Sequence, residues 1–293
     1  MRRENSPTID AKSCTRCGDC VEICASDLLQ MGESCPETTG YGPCYGCGHC
    51  VAVCPEDAIE LPGADASHFT ELLPQEEAAS DRQVEDLFQR RRSVRSYTDE
   101  EVPEEAIRRL ISTGTLAPSG MNEQAWHFTV IRDPERLKLI RQQIVTTIER
   151  LLTMLGNPLT RLMMRMVVGA ETAGLLVETQ PMLQRLVKTH AKHRDCILWG
   201  APLLIIVHSP RSDPIVAESS HYAVANMMTL APALGMGTCL IGFVTEVARR
   251  DPRLKELLEV PMEHSVDAAL VVGYPEAQFH RSTHRQEPPV EFV

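Results

Sequence analysis

Positive charge is scarce in this 293-residue chain: 29 lysines and arginines face 40 aspartates and glutamates, a net of −11. That balance argues against nucleic acid or an anionic membrane surface as a principal partner. Long apolar runs are scarce too. The most apolar segment, residues 196–207, is too short to span a bilayer and contains Gly200 and Pro202. Two arginines near the start have no apolar stretch behind them, so the opening does not read as a secretory signal. A dinucleotide fingerprint is missing as well. Gly235 and Gly237 are followed by Leu240 where a third glycine belongs, and a helical stretch precedes them. Residues 81–293 offer no convincing acid–base pair or nucleophile, so no catalytic residue is assigned.

Cysteine, by contrast, is plentiful and ordered. Eight of the eleven lie at Cys14, Cys17, Cys20 and Cys24, then at Cys44, Cys47, Cys50 and Cys54, two copies of one spacing. Zinc knuckles use paired two-cysteine arms, not four-cysteine runs. A disulfide framework needs a secreted context. Three thiolates three residues apart can wrap a tight loop around three irons, while a fourth must be reached from elsewhere. The repeat resembles the bacterial two-cluster ferredoxins, whose runs each ligate one [4Fe–4S] cube and lend the fourth cysteine to the other. The resemblance implies one cube on Cys14, Cys17, Cys20 and Cys54, and a second on Cys24, Cys44, Cys47 and Cys50. Ala25 stands where that family usually has proline. Cys35 has no slot and reads as a spare thiol. Thiols that must stay reduced point to the cytoplasm.

Length suits two domains, and a hydrophobic fraction of 43% is that of a globular chain. The expected division is a ferredoxin-type module over 1–63, a linker over 64–80 and a second domain over 81–293. Residues 1–63 hold four basic against ten acidic side chains, a net of −6. A solvated surface explains this, and so does a docking face for a basic redox partner.

Ser80 and Gln83 form a capping-box signature, and Val84, Leu87 and Phe88 follow at helical spacing. The helix ends in a knot of Arg90, Arg91, Arg92, Ser93 and Arg95. Cations at a helix end complement its dipole, but forked guanidiniums beside a hydroxyl also match a phosphate. Further helices are expected after Val102-Pro103, Asp133-Pro134 and Asp251-Pro252, with strands at 127–131, 203–207 and 266–272. Residues 154–195 look helical. Met163, Met164 and Met166 read as packing residues there, and His190 and His193 as solvent-facing.

The arginine knot, then Ala117-Pro118-Ser119 with Asn122, Gln124 and Trp126, then Leu234-Gly235 through Thr238-Cys239 to Ile241-Gly242-Phe243, occur in one order. Together they resemble the nitroreductase family of FMN-dependent oxidoreductases. Ala125 replaces the usual proline before the tryptophan. The resemblance implies an α+β fold, an antiparallel or mixed sheet flanked by helices, assembled as an intertwined homodimer with flavin at its interface. It implies FMN held by Arg91, Arg92, Ser93 and a late arginine, Arg285 or Arg281. Arg95 would reach the pyrimidine end. Pro118, Ser119, Asn122 and Gln124 would line the ring, with the backbone at Ile241 and Gly242 along it. Residues 154–195 match the variable part that often lies over the flavin.

Clusters pass single electrons, whereas FMN accepts two and returns a hydride. The expected function is an oxidoreductase taking electrons from an external donor, a ferredoxin or NAD(P)H, through two clusters to FMN and a small organic acceptor. The alternatives are a non-catalytic electron carrier serving a protein partner, and another flavin reaction such as reductive dehalogenation.

Overall fold

The computed structural model describes residues 6–64, 69–192, 195–210 and 214–293. His193 and residues 65–68 of the expected linker lie outside these. Two compact units form: residues Met1–Ala79 with Ser119–Glu123, and Ser80–Pro118 with Gln124–Val293.

The first unit is built from very short elements. Strands β1 (Thr8–Ile9) and β4 (Ile59–Glu60) pair antiparallel, as do β2 (Leu29–Met31) and β3 (Pro36–Thr38). Two four-residue helices, α1 (Asp19–Glu22) and α2 (His49–Ala52), follow Gly18 at φ 93° and Gly48 at φ 74°. Both glycines adopt a left-handed turn that other residues resist. The buried core is small: Cys20, Leu29 and Ile59, with Ile9, Val21 and Val51 against them.

The second unit is organised by a four-stranded antiparallel sheet of β5 (His127–Ile131), β6 (Leu203–Pro210), β7 (Gly237–Leu240) and β8 (His264–Gly273), in the order β5-β6-β8-β7. Strand β6 is buried over nearly its whole length, because helices cover both of its faces. Period-two alternation sorts its side chains. Leu204 and Ile206 join one core with α5 (Pro134–Gly156), α9 (Gly242–Ala248) and α10 (Pro252–Leu257). Leu203, Ile205 and Val207 join the other with α4 (Glu104–Gly114) and α8 (Pro214–Leu230). A bulge after Val207 shifts the register against β8 and leaves Asp267 unpaired in the ladder. Its buried carboxylate accepts the hydroxyls of Ser209, Ser220 and Ser265 at 2.6, 2.9 and 2.7 Å, which offsets its desolvation.

Helix starts follow the expected caps. Ser80 and Gln83 complete a reciprocal capping box on α3 (Asp81–Arg90), and Asp133 accepts the N–H groups of Glu135 and Arg136. Residues 154–192 are helical, as expected, with α6 (Pro158–Val168) and α7 (Ala170–His190) separated at Gly169, φ 85°. The expected packing of the methionines is met in the single chain only in part: Met164 is half-buried, but Met163 and Met166 are 54% and 73% exposed. Spacing alone gave α6 an apolar face but no element to cover it. His190 is half-buried, with an unpartnered Nδ1, instead of facing solvent. Among the described residues no helix is long and apolar enough to cross a membrane.

Candidate functional site

In the first unit the cysteine runs fold into two separate cavities. Cys14, Cys17, Cys20 and Cys54 line one, beside Ile9 and Ile59. Cys24, Cys44, Cys47 and Cys50 line the other, beside Leu28 and Leu29. The third cysteine of each run sits on α1 or α2, and the fourth lies just past the helix end, where it crosses to the other cavity. No disulfide forms; all eleven cysteines are free.

The chemistry of these cavities suits iron–sulfur cubes. Burial, then the neighbouring Cys47 and Cys44, pushes the Cys50 thiol up to about 11. Burial and Cys17, with Cys14 and Cys54 behind, raise Cys20. Burial would raise Cys24 too, but the Ser26 hydroxyl and nearby backbone N–H groups bring it below the usual thiol range. Crowded, partly buried thiolates need positive charge to ionise together, and iron would supply it. Among the described residues no three His, Cys, Asp or Glu side chains converge as on a single ion. The sulfurs ring a space instead, which suits a polynuclear group. Backbone N–H groups of Arg16, Gly46 and Ala58 donate to the sulfurs of Cys14, Cys44 and Cys54, each at 3.4 Å.

In the second unit the arginine knot continues past α3 as an extended segment along the free edge of β7. Ser93 bridges Thr238 in parallel, and Val94 N–H donates to the Thr238 carbonyl at 2.9 Å. Gly237 is required here, since a Cβ would lie 2.5 Å from Val94 Cγ2. Extended backbone sends successive side chains to opposite sides, so the knot divides. Arg91, Ser93 and Arg95 gather around Cys239. Burial raises this thiol, while Arg95, the Ser93 hydroxyl and Arg91 draw it down. Arg95 also lies over the Trp199 ring, 5.8 Å from its centroid. Arg92 turns the other way. It stacks on Phe279 at 5.6 Å and donates to the Arg281 carbonyl at 2.7 Å, lining a cavity with Thr238 and Arg281.

Among the described residues Arg90 pairs with Asp86, but no carboxylate pairs with Arg91, Arg92 or Arg95. Arg92 Nε is buried without a partner. Uncompensated guanidiniums beside a hydroxyl suit a phosphate group.

The remaining expected residues scatter. Arg285 is exposed and donates to the His284 carbonyl at 3.2 Å. The Ile241 N–H already bonds the Ala269 carbonyl at 2.9 Å, so the backbone there leaves Gly242, exposed at the start of α9, as the open position. Pro118 is exposed, and Gln124 takes a left-handed φ of 47°. Ser119 and Asn122 fall in the first unit, where Asn122 Nδ2 donates to the carbonyls of Tyr45 and Gly46 at 3.3 and 2.9 Å.

One group was not anticipated. His127, His208 and His264, from three strands, cluster with ring centroids 4.9–5.5 Å apart, His127 stacked on His208 and His264 tilted against both. The Nδ1 atoms of His208 and His264 are 2.9 Å apart, and His208 Nε2 meets Thr129 Oγ1 at 3.2 Å. Burial, then His264 and His127, lowers His208 to about 4. Only strand pairing brings these residues together.

Comparison with known proteins places both units. A model described as the nitroreductase family matches residues 88–274, and one described as a 4Fe-4S dicluster domain matches residues 12–59. A protein of Archaeoglobus fulgidus named as an NADH dehydrogenase/NAD(P)H nitroreductase is 27% identical over 200 residues, covering 68% of this chain and 90% of that protein. Iodotyrosine deiodinase of Thermotoga neapolitana is 27% identical over 194 residues, covering 65% and 88%. The crystal structure of a nitroreductase with bound FMN from Bacteroides fragilis shares the fold, with a TM-score of 0.57 and 21% identity over 72% of this chain and 98% of that one.

Proposed function

The chain belongs to the nitroreductase family and carries a 4Fe-4S dicluster domain, and from that premise we propose an FMN-dependent oxidoreductase fed through its own iron–sulfur module. Electrons enter from an external donor, a ferredoxin or NAD(P)H, and leave to a small organic acceptor. The observation that carries this reading is the separation of the eight cysteines into two four-cysteine cavities, in one chain with an uncompensated arginine and serine face. The cubes supply one-electron transfer, and FMN supplies two-electron storage with hydride release.

The residues divide the work. The cysteine quartets hold one cluster each, with Ile9 and Ile59 beside one and Leu28 and Leu29 beside the other. Arg91, Ser93 and Arg95 take the FMN phosphate and polar edge. Arg92 fastens residues 279–281 against the knot, and Arg285 completes the anion site from the tail. Pro118 and Gln124 border the ring, with the Gly242 backbone along it. The protein works as a homodimer, a reading supported by the apolar side chains left exposed on α3 (Val84 42%, Phe88 61%) and α6. Reductive dehalogenation on the same site is the second reading, favoured by the similarity to iodotyrosine deiodinase.

The test is composition. Anaerobically purified protein should hold about eight irons, eight acid-labile sulfides and one FMN per chain. Reconstituted protein that never exceeds about four irons would contradict the two-cluster reading, and protein that never retains FMN would contradict the flavin reading.

A further inference from the structure

Asn122 lies in the segment that resembles a flavin-lining motif, yet its side chain serves the first unit. Two carbonyl oxygens, Tyr45 O at 3.3 Å and Gly46 O at 2.9 Å, lie within reach of one amide nitrogen. Only the NH2 end of the amide can donate to both, which fixes its orientation. The backbone beneath is held in an uncommon conformation: Met121, Asn122 and Gln124 have φ of 49°, 55° and 47°. Such residues are strained and persist where their surroundings demand it.

The contact matters because of what lies at the other end of the same peptide. The Tyr45 carbonyl and the Gly46 N–H belong to one rigid plane and point in opposite directions. That N–H donates to Cys44 Sγ at 3.4 Å. Anchoring the carbonyl therefore aims the N–H at a cluster-ligating sulfur. Hydrogen bonds to the sulfurs are among the factors that set a cluster's potential, because they stabilise the more negative, reduced state.

The repeat supplies an internal contrast. In the first run the Arg16 N–H donates to Cys14 Sγ at the same 3.4 Å, with Arg16 at φ 61° against Gly46 at 60°. There the turn is braced by Arg16 itself, whose guanidinium reaches the Gly32 carbonyl at 3.2 Å and that of Glu33. Equivalent peptides in the two runs are thus held by different means.

We propose that Asn122 is a positioning residue for the cluster on Cys24, Cys44, Cys47 and Cys50, raising its reduction potential through the Tyr45–Gly46 peptide. The proposal rests on the two-cluster reading above. It makes the two cubes inequivalent and gives Asn122 a task apart from the flavin.

The experiment is an anaerobic redox titration of the full-length holoprotein, followed by electron paramagnetic resonance, for wild type and Asn122→Ala. One of the two cluster couples should move to more negative potential, its reduced-to-oxidised ratio at fixed potential falling about two- to tenfold. The other couple and FMN content should stay as in wild type. Selective loss of iron from one cube would support the same role. Asn122→Ser, which keeps a single donor, should give a smaller shift, and it carries the test if the alanine variant does not accumulate. Unchanged couples at full iron content, or an equal shift in both, would overturn the proposal. FMN loss with unchanged couples would return Asn122 to the flavin. Wild-type protein without two cluster couples would instead overturn the underlying two-cluster reading, and this inference with it.

Discussion

The two units are held together by different forces. The second has a buried central strand, a core on each face of its sheet, and helices over both. The first has a core cluster of only three buried residues, one of them a cysteine, and among its described residues no helix longer than four residues. A segment that small buries too little apolar surface to offset its chain entropy. Its stability must come from metal–sulfur bonds, as in other small metal-dependent folds. On this reading the clusters are part of the first unit's fold, whereas FMN is a guest of the second.

Iron removal should break that comparison open most widely. Chelation under mild oxidation should abolish hydrogen-exchange protection across residues 6–64 while protection over β6 and β8 stays near its holoprotein level. Equal loss of protection in both units would mean that the second also depends on the clusters.

A smaller effect is expected at the guest site. Charge-assisted hydrogen bonds are worth about 1.5–3 kcal/mol, so Arg91→Ala or Arg285→Ala should weaken FMN binding about ten- to a hundredfold by fluorescence titration of the apoprotein. Because Arg92 points to the other side of the extended segment, Arg92→Ala should cost less affinity and loosen residues 279–281 instead. A larger loss from Arg92 than from Arg91 would reverse this division of the knot.

That division marks the limit of what the sequence discloses. Local signals carried through: the Ser80–Gln83 box, the Asp133 cap and the apolar run of β6 each depend on residues within a few positions. The repeat spacing of the cysteines is legible as well, and the runs line two separate cavities. The knot did not resolve, since its alternation arises from pairing with β7, far along the chain. Asn122 lies in the flavin-like motif, and nothing local reveals that its amide also meets the Tyr45 and Gly46 carbonyls. The three histidines lie on three strands and share no local pattern.

Those histidines give the smallest effect. His208 takes its proton only near pH 4 in the folded chain, against an ordinary value of 6.5. Burial, His264, His127 and Lys255 oppose its charge, and Asp267 favours it only in part. The unfolded chain therefore binds the extra proton between about pH 6.5 and 4, and stability of the second unit is full above this window and falls through it. The loss should amount to about 1–3 kcal/mol, read as a falling Tm of the second unit's transition. His208→Gln should flatten that slope, and an unchanged slope would remove His208 as its source.

The central claim is that the clusters feed the flavin, and stopped-flow reduction of FMN in Cys47→Ala tests it most directly. The variant loses a ligand of one cube while the arginine and serine face is untouched. Under anaerobic conditions with a low-potential ferredoxin or viologen as donor, it should lose rapid flavin bleaching yet retain FMN that a chemical reductant still reduces. A folded variant lacking that cluster, whose flavin bleaches as fast as wild type with the same protein donor, would contradict the claim.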